Sequence, residues 1–465
     1  MKHASDPAPL SDARVVAFTT VKIPARISIP IALAVVLALA VGGLFLWQIH
    51  QSVATIESSF RVGNAGTSLM KKLLPGAPKS LPDSATQSTA LMQLKQGEIF
   101  ELKGEWKQAE EHYEDSVNSG GGAPALKKLA AIQLQRREYG NAADTISQLK
   151  ELNKDSDDVM LLEGILALRK GDANGAGAVF NRRPGTPQGL YGLSLVAIAK
   201  GDHATAQKTL QTAAQSGDPT IRISANALLQ AYGEFALFPN GQAIHLQTLL
   251  ARALAQVNEC ETGLQLVNPV VSAEPKYRDA WIVKGFCEFN TERTDAALAS
   301  LEQAYALDPE KPEIQYFLAR THAALGDPEN AVTFLQYALL NGFQPEKEAR
   351  LLLADYATEL GNTDLALNQY KLISEAADSD LDSFRRYVNL AIGTNNHALD
   401  ALSVAKNALV RWPDDATALT LAAKAALAAG VPEDATKYID QALKIDPTNK
   451  DALAVQEAIR KAAEK

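Results

Sequence analysis

Cysteine is almost absent from this chain of 465 residues, which holds only Cys260 and Cys287. Two thiols exclude a disulfide-framework fold and any zinc site built on four thiolates. Seven histidines stand singly, with no local pair at metal-ligand spacing, so no metal site is expected. The chain also lacks GxSxG, HExxH, the Walker A lysine motif and GxGxxG, the spacings that place a nucleophile, a metal pair or a phosphate cradle. Without them no catalytic residue and no cofactor is expected, and the chain reads as a non-enzyme. Basic residues are outnumbered, with 45 Lys and Arg against 54 Asp and Glu, for a net charge of −9. A general nucleic-acid binder needs basic surface to displace counterions from phosphate, so no nucleic-acid partner is expected. With 46% apolar and 21% charged residues, the composition is that of a folded chain.

Two short stretches imitate functional motifs. Gly120-Gly121-Gly122 is a glycine run, but no phosphate-cradling sequence follows it, and a loop between helices accounts for it. Asp378, Asp380 and Asp382 resemble the opening of a calcium loop. Ser383 replaces the required glycine and Asn389 the closing glutamate, which leaves a solvated loop with helix-capping acids.

One apolar run stands out. Ile27 to Ile49 reads ISIPIALAVVLALAVGGLFLWQI without a charge. Its 23 residues make a helix of roughly 34 Å, matched to a hydrocarbon core of about 30 Å. Pro30 falls in the first turn and Trp47 where an interfacial anchor belongs. Arg14, Lys22 and Arg26 precede the run, whereas only Arg61 is basic in the twenty residues after it. By the positive-inside rule residues 1–26 are cytoplasmic, 27–49 span the membrane, and the rest lies outside the cytoplasm, in a periplasm. Lys71 and Lys72 weigh toward the reverse orientation. A cleavable signal peptide has a shorter apolar core ending at its cleavage site, so an uncleaved single-pass anchor is expected. Ala34, Ala38 and Gly42 form a small-residue stripe suited to helix dimerisation and hence to a homo-oligomer; alanine is also common in apolar runs.

Residues 50–89 form a stalk and linker, rich in Pro, Ser and Gly from Leu73 onward. Beyond Ala90 apolar residues recur at helical spacing, with turn residues about every 15 positions. Trp281 is followed by Gly285, Ala297, Leu301, Ala304 and Asp308-Pro309; further on the same slots hold Leu318-Ala319, Gly326, Ala331, Leu335 and Ala338. Setting the small residue of each first helix as slot eight gives unit starts at 90, 123, 157, 187, 244, 278, 312, 347, 382 and 416. The period is close to 34, and the step of 57 after 187 leaves room for a degenerate unit. Gly97, Phe100, Gly104, Ala109 and Tyr113 occupy the diagnostic slots of the first unit. Gly164, Gly171, Ala176 and Phe180 occupy those of the third, and Gly430, Ala435, Ile439, Ala442 and Pro447 those of the last.

This pattern resembles the tetratricopeptide repeat (TPR) family over about four-fifths of the chain. The resemblance implies an all-α fold, a right-handed α-solenoid of stacked helix pairs, here preceded by one transmembrane helix. It divides the chain into N-terminal TPR units at 90–217, a degenerate helical unit at 218–243, C-terminal TPR units at 244–447 and a capping helix at 448–465. Small residues at slot eight let two helices cross closely, and glycine at slot fifteen allows the turn between them. Lys284, Glu288, His322, Arg385 and Asn389 depart from the pattern.

The resemblance also implies that protein partners bind a concave groove lined by slots 2, 5, 9 and 12 of the first helices. Those slots hold Ile165, Tyr191, Leu195, Arg252, Ile282, Phe286, Phe289, Tyr316 and Arg320, suited to an extended or helical peptide; packing inside the array is the alternative for half of them. The family's clamp for chaperone C-terminal carboxylates is missing, since slots 5 and 9 read Thr248/Arg252, Ile282/Phe286 and Leu351/Asp355. In the repeat frame Cys260 opens the second helix of one unit and Cys287 lies in the first helix of the next. They form either a disulfide across adjacent units or two buried small apolar residues. The expected role is a membrane-anchored scaffold or adaptor in envelope assembly, secretion, pilus or polysaccharide-export machinery; a cytoplasm-facing assembly factor is the alternative.

Overall fold

The structure is a computed structural model; it describes residues 84–464 apart from 155, 239, 240 and 395. The expected membrane helix at 27–49, its Ala34, Ala38 and Gly42 stripe and most of the linker lie outside the described residues. Among those described, no helix is long and apolar enough to cross a membrane.

Twenty-two α-helices and no strand are found among the described residues. The first four pairs are α1 (Ser84–Lys103) with α2 (Trp106–Asn118), α3 (Gly122–Gln135) with α4 (Tyr139–Leu152), α5 (Asp157–Arg169) with α6 (Ala173–Phe180), and α7 (Pro187–Ala199) with α8 (His203–Ala213). A single long helix, α9 (Pro219–Ala236), follows without a second helix of its own, and it fills the step of 57. The pairs then resume as α10 (Ala243–Gln256) with α11 (Cys260–Ala273), α12 (Arg278–Asn290) with α13 (Thr294–Leu307), and α14 (Pro312–Ala324) with α15 (Pro328–Leu340). The last are α16 (Glu346–Glu359) with α17 (Thr363–Glu375), α18 (Leu381–Ile392) with α19 (Ala398–Arg411), α20 (Ala416–Ala428) with α21 (Pro432–Ile445), and the lone α22 (Lys450–Ala463). Each helix packs on the next, giving an all-α solenoid of TPR type.

Two slots explain the local build. At slot fifteen Gly104, Gly171, Gly201, Gly326, Gly361 and Gly430 all adopt positive φ, between 71° and 83°, which a side chain would resist. The next residue often caps the second helix: Asp172, Asp202, Asp327 and Asn362 each accept a backbone N–H three residues on. At slot eight the small residue makes room for slot twenty-four. A Cβ on Gly164 would sit 2.1 Å from the Phe180 ring, one on Gly97 2.5 Å from Tyr113, and one on Gly285 2.6 Å from Leu301. Phe180 is fully buried between α5 and α7, and a Cβ on Gly192 would meet it at 2.2 Å.

The irregular units differ from the ideal in specific ways. Helix α1 begins at Ser84, inside the segment expected to be linker, and the carbonyl of its buried Ala90 accepts from the Ser116 hydroxyl at 2.7 Å. In α18 the buried face runs Phe384, Tyr387, Val388 and Ala391 while Asn389 is exposed. Val388 therefore holds slot eight, and this unit begins one residue before 382. Lys284 and Glu288, charged at apolar slots, are satisfied by each other at 2.5 Å and by Ser300 at 2.8 and 2.6 Å. His322 stacks on Phe334 with centroids 5.4 Å apart and bonds Asp327 at 3.1 Å. The tail helix α22 buries Ala452 and Ile459 and exposes Gln456, Arg460 and Lys461.

Candidate functional site

The first helices of the pairs form one face of the array, and in the N-terminal half that face is already covered. The odd helix α9 shifts the alternation of the pairs, and α11 comes to rest against α5 and α7. The Gln265 side chain of α11 donates to the Leu168 carbonyl at 3.1 Å, and Leu266 packs against the cluster that holds Tyr191 and Leu195. Arg169, at the end of α5, reaches Glu259 at 3.2 Å and donates to the Asn258 carbonyl at 2.6 Å. Both charged side chains are only 5% exposed. Burial pushes the guanidinium pKa down, but the adjoining Glu259 carboxylate outweighs it and the net direction is up.

More contacts continue this line. Arg137 pairs with Glu261 at 2.7 Å, and Arg293 joins the same carboxylate at 2.6 Å. Arg136 reaches Glu292 at 3.1 Å while also holding Glu110, and Gln135 donates to the Asn290 carbonyl at 2.9 Å. Residues more than 150 positions apart in sequence thus meet along a polar seam.

The residues expected in the groove divide accordingly. Ile165, Tyr191 and Leu195 are buried: Ile165 packs with Leu126 and Leu134 of α3 and Ile146 of α4, while Leu266 of α11 packs on the cluster of Tyr191 and Leu195; burial, with Glu259 nearby, drives the Tyr191 hydroxyl pKa up. Tyr316 is buried too, stacked on Phe343 at 4.1 Å with its hydroxyl donating to Glu348. These four pack inside the array, the alternative expected for half of the groove residues. Ile282, Phe286, Phe289 and Arg320 are half-buried, and Arg252 is exposed and paired with Glu234. Phe286 meets Phe317 at 5.1 Å, and the Arg320 guanidinium lies 4.9 Å over the Phe289 ring.

Past Arg320 the first-helix face is polar and open, which an apolar reading of the groove missed. Asp355 of α16, Arg386 of α18 and Lys424 of α20 form a ladder. Arg386 bonds Asp355 at 3.2 Å and Asp382 at 2.8 Å, Tyr370 donates to Asp355 at 2.5 Å, and Lys424 donates to Asn389 at 2.8 Å. Burial acts to lower the Arg386 pKa, but the two carboxylates prevail and raise it. The signal was present in the slot frame, where Asp355 and Lys424 stand at position nine of the two units that flank the irregular one.

The two cysteines meet. Cys260 and Cys287 are buried in one apolar cluster, and burial together with the Cys260 neighbour pushes the Cys287 thiol pKa well up. Asp380, from the acidic loop, caps α18 by accepting from the Ser383 N–H and hydroxyl, and it pairs with Lys347 at 2.9 Å. Among the described residues no group of three or more His, Cys, Asp or Glu side chains could hold a metal ion.

Comparison with known proteins agrees with the helix-pair frame. Two models described as tetratricopeptide repeat match, one at residues 291–346 and the other at 248–312 and 393–450. A cellulose synthase operon protein C of Xanthomonas axonopodis pv. citri is 26% identical over 351 residues, covering 67% of this chain. The match spans only 23% of that protein's length. Among solved structures, YrrB, a TPR protein with an unusual peptide-binding site, aligns at 18% identity and a TM-score of 0.35, over 41% of this chain and 97% of its own. PilW, a type IV pilus biogenesis factor, aligns at 21% and 0.33, over 46% and 99%. Tetratricopeptide repeat models thus match this chain in parts of the region from 248 to 450, within the helix pairs from α10 to α21.

Proposed function

We propose that this protein is a membrane-anchored TPR scaffold that binds protein partners on the open first-helix face of its C-terminal units and catalyses no reaction. The observation that carries this is the ladder Asp355, Arg386 and Lys424, charged side chains along one face of stacked repeats. Such a face suits an extended peptide that offers both signs of charge and an aromatic or apolar anchor beside Phe289. The helix at 27–49 would hold it to the bilayer, with the array outside the cytoplasm in envelope assembly, secretion, pilus or polysaccharide-export work. The name of the Xanthomonas relative is compatible with the last of these.

A photo-crosslinking residue at Lys424, compared with one at the outward Lys437, tests the face in intact cells. Adducts to envelope proteins from position 424 and not from 437 are expected; the reverse pattern would place binding on the other face. In the same cells a reporter active only outside the cytoplasm, fused after Lys465, is expected to work. Activity only from a cytoplasmic reporter would reverse the orientation.

An oxidising compartment would also bear on the cysteines. There Cys260 and Cys287 would lose two electrons and two protons to a disulfide-exchanging oxidant and become bridged across α11 and α12. The expected result is two more titratable thiols per unfolded chain with reductant than without. Equal counts reject the bridge.

A further inference from the structure

A pocket of about 400 Å³ lies between the second helices α17 and α19, over the first helix α18. Its floor is Phe384 and Tyr387 of α18, only 2% and 4% exposed. Ser374 on one wall and Ser403 and Asn407 on the other are short side chains, which leave the gap between the two helices open. The polar groups around it are unequally satisfied. Arg411 is committed: its guanidinium lies 5.6 Å over the Phe384 ring and donates to the Ala376 carbonyl at 3.0 Å and to the Ser379 hydroxyl. Ser374 gives its hydroxyl to the Lys371 carbonyl at 2.8 Å. The Tyr387 hydroxyl, by contrast, has no hydrogen-bond partner among the described residues, although its ring is buried. Burial raises its pKa, and the carboxylates of Asp400 and Glu375 raise it further, so both acids face it. Glu375 makes no ion pair among the described residues, and Asp400 meets only His397, at 3.5 Å. Lys371, on the exposed rim, pairs with neither acid.

We propose that this pocket receives a lysine side chain of a protein partner. An ammonium carries three donors, and Glu375, Asp400 and the Tyr387 hydroxyl offer acceptors for them. The methylene stem of a lysine fits against Phe384, Tyr387 and Val404, and the two rings add cation–π attraction. The ligand also satisfies a hydroxyl that is costly to leave unpartnered. A carboxylate or phosphate ligand is disfavoured by the two acids that face the same hydroxyl. The pocket lies between second helices, whereas Asp355, Arg386 and Lys424 stand on first helices, so its occupancy does not depend on the role of that ladder. A scaffold with both sites holds two segments of its partners at once.

Trp412 provides the readout, because its ring meets Phe384 with centroids 5.7 Å apart. In the full chain in detergent, with 5-fluorotryptophan at its four tryptophans, the fluorine resonance of Trp412 is identified by its loss in Trp412→Phe. The probe is a capped pentapeptide with one central lysine among alanines, compared with the same peptide carrying norleucine. A saturable shift with the lysine peptide and none with norleucine is expected. Glu375→Gln with Asp400→Asn should weaken binding by about tenfold or more. Tyr387→Phe, which keeps the ring, should weaken it about threefold. Glu302→Gln with Asp440→Asn removes the same charge from exposed positions on other helices and should leave the affinity unchanged. The proposal is overturned by an equal shift with norleucine, by unchanged affinity in the Glu375/Asp400 variant, or by no shift up to ~10 mM peptide. Butylamine binding as tightly as the lysine peptide would overturn it as well, since the pocket would then serve small free amines.

Discussion

Replacement of Arg169 by alanine is expected to destabilise the array by about 3–5 kcal/mol, because it leaves the Glu259 carboxylate buried without its partner. The pair is held between α5 and the start of α11, both side chains almost wholly out of water, and the guanidinium also satisfies the Asn258 carbonyl. Removing the cation therefore strands two acceptors at once. Replacing both partners, Arg169→Met with Glu259→Leu, should cost far less, since well-packed apolar pairs often equal buried ion pairs. Urea unfolding of the full chain in detergent, followed by helix signal, checks both. A loss below about 1 kcal/mol for Arg169→Ala would mean that water reaches the carboxylate and that the pair behaves as a surface one.

Phe180→Ala carries a comparable expectation, about 3–5 kcal/mol, because the ring fills a space that its neighbours cannot close. The short helix α6 delivers it between Gly164 and Gly192, both of which lack the Cβ that would collide with it. Gly164→Ala alone should cost about 1–3 kcal/mol by overpacking. Its cost should fall when combined with Phe180→Leu, since regular units pair alanine at slot eight with Ile or Leu at slot twenty-four, as in Ala319 with Leu335 and Ala423 with Ile439. A double-mutant cycle on 164 and 180 measures that coupling. Strict additivity would show that the two positions do not share the space.

The coupling between these slots is why so much of the fold was legible in the chain. Gly97 with Tyr113, Gly164 with Phe180 and Gly285 with Leu301 are sixteen residues apart in every unit, and the turn glycines recur in the same frame. Repeats that touch only their neighbours let a short window determine most of the packing. The same frame misplaced α18 by one residue, because Asn389 was assigned to a slot that Val388 fills. Part of the open face could also have been seen, since Asp355 and Lys424 keep position nine.

Sequence periodicity alone therefore determined the helix pairs, their order and the place of the irregular unit. The tertiary structure decided which first-helix residues meet solvent. Ile165, Tyr191 and Leu195 fit a groove in any single unit, yet they are buried. After the lone helix α9, α11 returns to lie against α5 and α7, over residues about 70 to 100 positions earlier in sequence. No local pattern records such a return, because burial of these side chains depends on the summed rotation of all the units between. What the chain does record is part of its trace: the turns at Arg137, Asn258 and Glu292 lack glycine, and each takes part in a contact with a distant unit.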